Sequence, residues 1–140
     1  MLWFAVLCLQ IILGAFMAGL HGGLIYNTWP SMNGQWLPEG LEKPPLLTNV
    51  TLIQFLHRSM AVLVTAGFAF WWYLCRAYVK NAHLGKVCAF LTAIIVAQFM
   101  LGVATLLHQA PLDLALAHQM VGLVLFGVAV VMLHTLTVIL

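Results

Sequence analysis

Four long apolar runs dominate the pattern of this chain, at residues 2–26, 52–75, 84–107 and 114–140. Each reaches the roughly 20 residues that a helix needs to cross a bilayer core. The runs are continuously apolar rather than alternating. That favours helices over the strands of a closed barrel, the other way to span lipid. The expected fold is all-α: a polytopic membrane protein, one domain over residues 1–140, built as a four-transmembrane-helix bundle. The longest polar interruption, residues 27–50, is expected to be a loop on the outer side.

Composition agrees. The chain is 64% hydrophobic and 6% charged, more apolar surface than a water-soluble domain of this size could hide. The first run lacks a basic leader and a small-x-small cleavage site, so it is expected to be a retained helix rather than a signal peptide. Cys8, Cys75 and Cys88 fall inside or at the ends of runs. None lies in the long loop, which argues against a disulfide framework.

The placement of charge says more than its formal sum of +2. Arg76, Lys80 and Lys86 cluster between the second and third runs, and Arg76 and Lys80 share that end with Trp71, Trp72, Tyr73 and Tyr78. The excess of basic residues assigns that end to the cytoplasm, and the aromatic residues form an interfacial belt. Glu39, Glu42 and Asp113 then face outside and both termini are cytoplasmic. No basic patch supports nucleic-acid binding, and no zinc spacing, nucleophile–base pair or phosphate-cradling glycine loop is present.

A short internal repeat runs through the chain. Gln10-Ile-Ile-Leu-Gly14 and Gln98-Phe-Met-Leu-Gly102 share a Gln-x-x-Leu-Gly pattern, and His21 and His108 follow near the ends of those runs. The next run in each case carries another histidine: Phe-Leu-His57-Arg58 and Leu-Ala-His118-Gln119. Two tandem helical hairpins follow from this pattern. Their pseudo-two-fold axis runs along the membrane normal and carries His57 onto His118. At 1.5 Å per residue, His57 sits on the order of 10 Å below the outer start of its helix, a depth comparable to that of His118.

Ionisable groups at that depth are functional candidates by default. Two readings of the histidine pair stand on spacing alone. The imidazoles hold a haem iron between facing helices, or they are polar residues bonding helix to helix. Arg58 lies about 100° around the helix from His57, so it cannot share the iron. It can reach outward to haem propionates or to lipid phosphate. Gln54 faces the same way as His57 and, as an amide, is no general base. Gln98 and Gln119 are expected to bond between helices. His21 is an alternative ligand, part of a substrate pocket, or a hydrogen-bonded bystander. Gly14, Ala18 and Gly22 read as a packing stripe. The loop, with Trp29, Trp36 and its prolines, is either a lid over the site or a membrane-skimming connector.

In order along the chain, several stretches resemble the C-terminal half of the haem A synthase family: Ala18-Gly-Leu-His21-Gly-Gly-Leu-Ile-Tyr26-Asn27-Thr28-Trp29-Pro30-Ser-Met32; Trp36-Leu-Pro38-Glu39-Gly-Leu; Asn49-Val-Thr-Leu-Ile-Gln54-Phe-Leu-His57-Arg58; Leu101-Gly102-Val-Ala-Thr105-Leu; and Pro111-Leu-Asp-Leu-Ala-Leu-Ala-His118-Gln119. The resemblance implies four-helix halves, each with two histidines flanking a haem near the outer face. It also implies oxidation of a methyl group of haem O to the formyl of haem A for cytochrome oxidase assembly. On this basis His57 and His118 are the expected iron ligands, and His57, His118, Arg58, Gln54, His21 and Trp29 are the expected cofactor-binding set. No catalytic residue is assigned. Haem b is the expected cofactor, with haem O and haem A as substrate and product. Expected partners are lipid, a second four-helix half or a second copy, haem O synthase and cytochrome oxidase assembly factors. The expected location is a bacterial or mitochondrial inner membrane. The chain departs from the family in two residues: Gln54 stands where the catalytic half has Glu, and His21 replaces a common Asp. Family members also usually carry two halves, which leaves a non-catalytic haem b electron-transfer or haem-handling subunit as the alternative.

Overall fold

The structure, a computed structural model, describes residues 2–76 and 82–139. Four helices account for most of it: α1 (Leu2–Gly19), α2 (Val50–Cys75), α3 (Ala82–Leu107) and α4 (Leu112–Ile139). All four are long and apolar enough to cross a membrane, and the described residues form no strand. The chain is an integral membrane protein. Exposed Leu, Ile, Val, Phe and Met side chains cover the outward faces of the helices, as lipid as solvent requires. Lys80 and Tyr78, on which the expected cytoplasmic end partly rests, lie outside the described residues. At the edge of that end Arg76 packs over the Tyr73 ring, 4.6 Å from its centroid.

The helices pair as hairpins. α1 packs mainly on α2, and α3 packs still more closely on α4. α2 touches α3 less, α1 touches α4 least, and the described residues of α2 and α4 make no direct backbone approach. α2 and α4 are therefore diagonal across the bundle. A dry core fills one end. Leu7, Val64, Phe68, Leu84, Cys88, Leu91, Ile94, Ile95, Leu125, Ala129 and Met132 interlock there. Trp3 extends this core, its ring 5.0 Å from that of Phe68 while its Nε1 donates to the Val64 carbonyl at 2.9 Å. Toward the other end, polar Gln10, Gln54, His57, Gln98 and His118 side chains with buried polar atoms join the buried apolar Leu13, Ile53 and Leu106.

The first helix is shorter than its apolar run. It was expected to continue to residue 26 but ends at Gly19. His21 adopts a left-handed backbone (φ 53°) and leads into a 3-10 turn, Gly22–Leu24. The turn is packed closely on α1: a Cβ at Gly22 would meet Met17 Sδ at 2.7 Å. Hydropathy alone does not register such a stop. α2 begins slightly before its apolar run, because the Asn49 side chain accepts from the Leu52 N–H at 3.1 Å and caps the helix. The same Asn49 donates to the carbonyls of Gly40 (2.7 Å) and Lys43 (2.9 Å), pinning the segment that precedes it. At the α3–α4 corner Gln109 and Ala110 take left-handed backbones (φ 60° and 54°), and Asp113 lies in the first turn of α4, where a carboxylate suits the helix dipole.

Candidate functional site

The polar end of the bundle is built twice on one plan. In the first hairpin, Gln10 of α1 reaches His57 of α2, with 3.5 Å between Gln10 Nε2 and His57 Nε2. In the second, Gln98 of α3 reaches His118 of α4, with 3.4 Å between the same atoms. One turn along from each glutamine is a glycine that makes room for the ring. A Cβ at Gly14 would lie 3.3 Å from His57 Cε1, and a Cβ at Gly102 would lie 2.9 Å from His118 Cε1. The glycines thus seat the imidazoles against the backbone of the preceding helix. Gly14 does more than join a packing stripe.

The two rings stand on the diagonal helices α2 and α4. Both are half-buried, yet the Nδ1 atom of each is shut off and has no partner. Among the described residues, the buried side-chain polar atoms without a hydrogen bond are Gln10 Oε1, Gln54 Oε1, His57 Nδ1, Arg58 Nε, Gln98 Oε1 and His118 Nδ1. All belong to this cluster or adjoin it in sequence. An unsatisfied buried polar group costs about 1–3 kcal/mol, and native folds carry few of them. These orphaned atoms concentrate on and beside the two histidines.

The segment between α1 and α2 is tied onto the helices beside this cluster. Gln54, which is fully buried, donates its amide to the Tyr26 carbonyl at 3.0 Å. Arg58 donates to the carbonyls of Thr28 (2.9 Å), Ser31 (3.4 Å) and Tyr26. The guanidinium therefore holds backbone, although its buried Nε remains without a partner. Asn27 bridges the Gly23 carbonyl (2.6 Å) and the Leu106 carbonyl at the end of α3 (2.9 Å). Trp29 packs edge-on against Phe99 of α3, 5.5 Å between centroids.

Other expected positions fall elsewhere. His21 lies beyond the end of α1, is exposed, and no hydrogen bond or ring contact among the described residues joins it to the histidine pair. Gln98 does bond between helices, but Gln119, expected to do the same, is exposed and its side chain makes no hydrogen bond among the described residues. Helical rotation is the reason: one residue past His118, its side chain points some 100° away. His108 is exposed and its Nδ1 meets the Ala104 carbonyl at 2.9 Å. Gln10 and Asn27 are the residues that sequence reasoning passed over. The Gln-x-x-Leu-Gly repeat was the available signal for Gln10; nothing in the pattern marks Asn27.

The profile of the COX15-CtaA family, described as cytochrome oxidase assembly protein, matches residues 1–130. Curated relatives agree. The chain is 42% identical to the Heme A synthase of Wolbachia pipientis subsp. Culex pipiens over 123 residues, 84% of this chain and 35% of the relative. It is 42% identical to the Heme A synthase of Maricaulis maris over 123 residues, 84% of this chain and 36% of the relative. It is also 42% identical to that of Bartonella tribocorum over 138 residues, 91% and 37% respectively. No solved structure matches the chain. The chain spans about a third of the length of these curated relatives. With the doubled glutamine–glycine–histidine plan and a family profile running through nearly all of it, the chain belongs to the COX15-CtaA family of cytochrome oxidase assembly proteins.

Proposed function

We propose that this chain is a haem-holding four-helix half of a haem A synthase, in which His57 and His118 are the axial ligands of one haem. One observation carries the reading: two imidazoles on diagonal helices, each backed by a glutamine and a glycine of its own hairpin, with orphaned polar atoms around them. Neutral imidazole is a good iron ligand, and bundle cores are where facing helices hold cofactors. Bound there, haem supplies a redox-active iron. The chain's own residues aim the two rings, keep bulk away from them through Gly14 and Gly102, and tie the 26–31 segment beside them through Gln54 and Arg58. The basic residues near the α2–α3 turn support cytoplasmic termini and a site toward the outer face of a bacterial inner membrane. The relatives' name, Heme A synthase, supports haem A as product of the complete enzyme, and the family resemblance adds haem O as its substrate. Haem b is the resident cofactor of this half, and a second four-helix half or a second copy completes it. Haem O synthase and cytochrome oxidase assembly factors are the corresponding partners.

A second reading is favoured by Gln54. Its amide is spent as a donor to the Tyr26 carbonyl and cannot accept a proton as a carboxylate would. On that reading the chain carries electrons or haem without performing the oxidation. Extraction of pigment from the purified chain separates the two. Haem O or haem A in the extract supports the synthase, and haem b alone supports the electron-transfer or haem-handling role. Absence of any haem, with failure to bind added haem b, removes both.

A further inference from the structure

The segment between α1 and α2 does not rise away from the helices. The Tyr26 carbonyl accepts from the side chains of Gln54 and Arg58, which lie well past the Asn49 cap of α2. At 1.5 Å per residue those side chains start about 7 and 13 Å down the helix axis. On the other side, Asn27 donates to the carbonyl of Leu106, in the last turn of α3. Residues 26–31 therefore run beside the end turns of helices that cross the membrane, not above them. The rest of the segment stays near. Asn49 holds the carbonyls of Gly40 and Lys43 at the start of α2. Met32 and Gln35 exchange backbone hydrogen bonds of 2.8 and 3.1 Å, which fold the chain back on itself, and Met32 is tucked inward at 3% exposure.

Large apolar side chains open outward from this tied-down segment: Leu24 and Ile25 just after α1, Trp36 and Leu37 after the turn, and Leu46 and Leu47 just before α2. Trp36 is 75% exposed, Leu37 70% and Leu47 68%, as open as Leu123 on the outward face of α4 at 73%. Glu39, Glu42 and Lys43 are exposed between them. We infer that residues 24–47 form a strap seated on lipid, with these six apolar side chains in the headgroup layer of the leaflet nearer the histidine pair and the three charged residues facing water. So many large apolar side chains turned to water in one short segment would be an aggregation liability. Lipid is the cover because the patch is continuous with surface that lipid already covers: Leu24 and Ile25 prolong the apolar surface of α1, and Leu46 and Leu47 lead into that of α2. Irregular backbone is excluded from the hydrocarbon core, so the strap stops at the headgroup level, the layer that tryptophan favours. Gln54 and Arg58 tie the near end of the strap beside His57, and the bilayer surface supports its far end. The inference does not depend on haem.

The test places the full chain, its native cysteines changed to alanine, in phosphatidylcholine nanodiscs. A nitroxide is attached in turn to Leu37→Cys, Leu47→Cys and Glu42→Cys, and its relaxation by oxygen and by a water-soluble nickel chelate is compared. Oxygen is expected to outweigh nickel several-fold at positions 37 and 47, and nickel to outweigh oxygen at position 42. Nickel prevailing at 37 and 47 would put the segment in water and overturn the inference. Immobile labels there that neither reagent reaches would mean that protein, a second copy of the chain, covers the patch, which overturns it equally. Should the cysteine-free chain not fold, the original chain in brominated phosphatidylcholine decides the matter. Trp36→Phe is expected to remove part of the tryptophan emission that the bromines quench, and an unchanged quenched fraction would overturn the inference.

Discussion

The side-chain amide of Gln54 donates to the backbone carbonyl of Tyr26 at 3.0 Å, from a position with no solvent exposure at all. This bond joins α2, three residues before His57, to the segment that follows α1. It gives the glutamine a structural function that a carboxylate could not perform, because two acceptors would then face each other. Gln54→Glu is expected to lower stability by on the order of 1–3 kcal/mol, the penalty for an unmet buried hydrogen-bonding group. A detergent melting curve checks this. A melting temperature equal to that of the original chain would show that the bond contributes nothing.

Arg58 addresses the carbonyls of Tyr26, Thr28 and Ser31 at once. A planar fork with several donors can do this, and a lysine ammonium cannot match its geometry. Arg58→Lys is expected to loosen the 26–31 segment while leaving the four helices intact. Hydrogen exchange should show faster exchange there by about tenfold, corresponding to ~1.4 kcal/mol, with α1–α4 unaffected. Unaltered exchange in that segment would contradict the tethering role.

Gly102 and Gly14 make the same prediction with different weights. An added Cβ would press on His118 Cε1 at 2.9 Å but on His57 Cε1 at 3.3 Å. Overpacking of this kind typically costs about 1–3 kcal/mol. Gly102→Ala is expected to be the more disruptive, displacing the His118 ring, and Gly14→Ala the milder. The order of melting temperatures, and of haem b affinities, tests it. Equal effects would mean that the glycines do not seat the rings.

Much of the fold was legible in the sequence because lipid imposes a crude rule. A spanning helix must be long and apolar, and residues 52–75, 84–107 and 114–140 obey it closely enough to give α2, α3 and α4 within a few residues. The same rule overran α1. His21 and the glycines after it end the helix by backbone conformation, while the run beyond them stays apolar. Which face of a helix looks inward is harder to read, since the lipid side is as apolar as the core. Gln98 and Gln119 look alike in sequence, yet one meets His118 and the other is exposed. The candidate site was visible as a repeat of glutamine, glycine and histidine. The pairing of each histidine with the helix before it required the hairpin geometry. The ties from Gln54, Arg58 and Asn27 to backbone carbonyls left no trace in the pattern, because a carbonyl is offered by every residue.

The most direct measurement is the absorption and electron paramagnetic resonance spectrum of the chain loaded with haem b. A low-spin, two-imidazole signature is expected, lost in His57→Ala and lost again in His118→Ala, with each variant still folded by circular dichroism. The same signature surviving in either variant would show that the missing imidazole was never a ligand, and would contradict the assignment of this pair to a single iron.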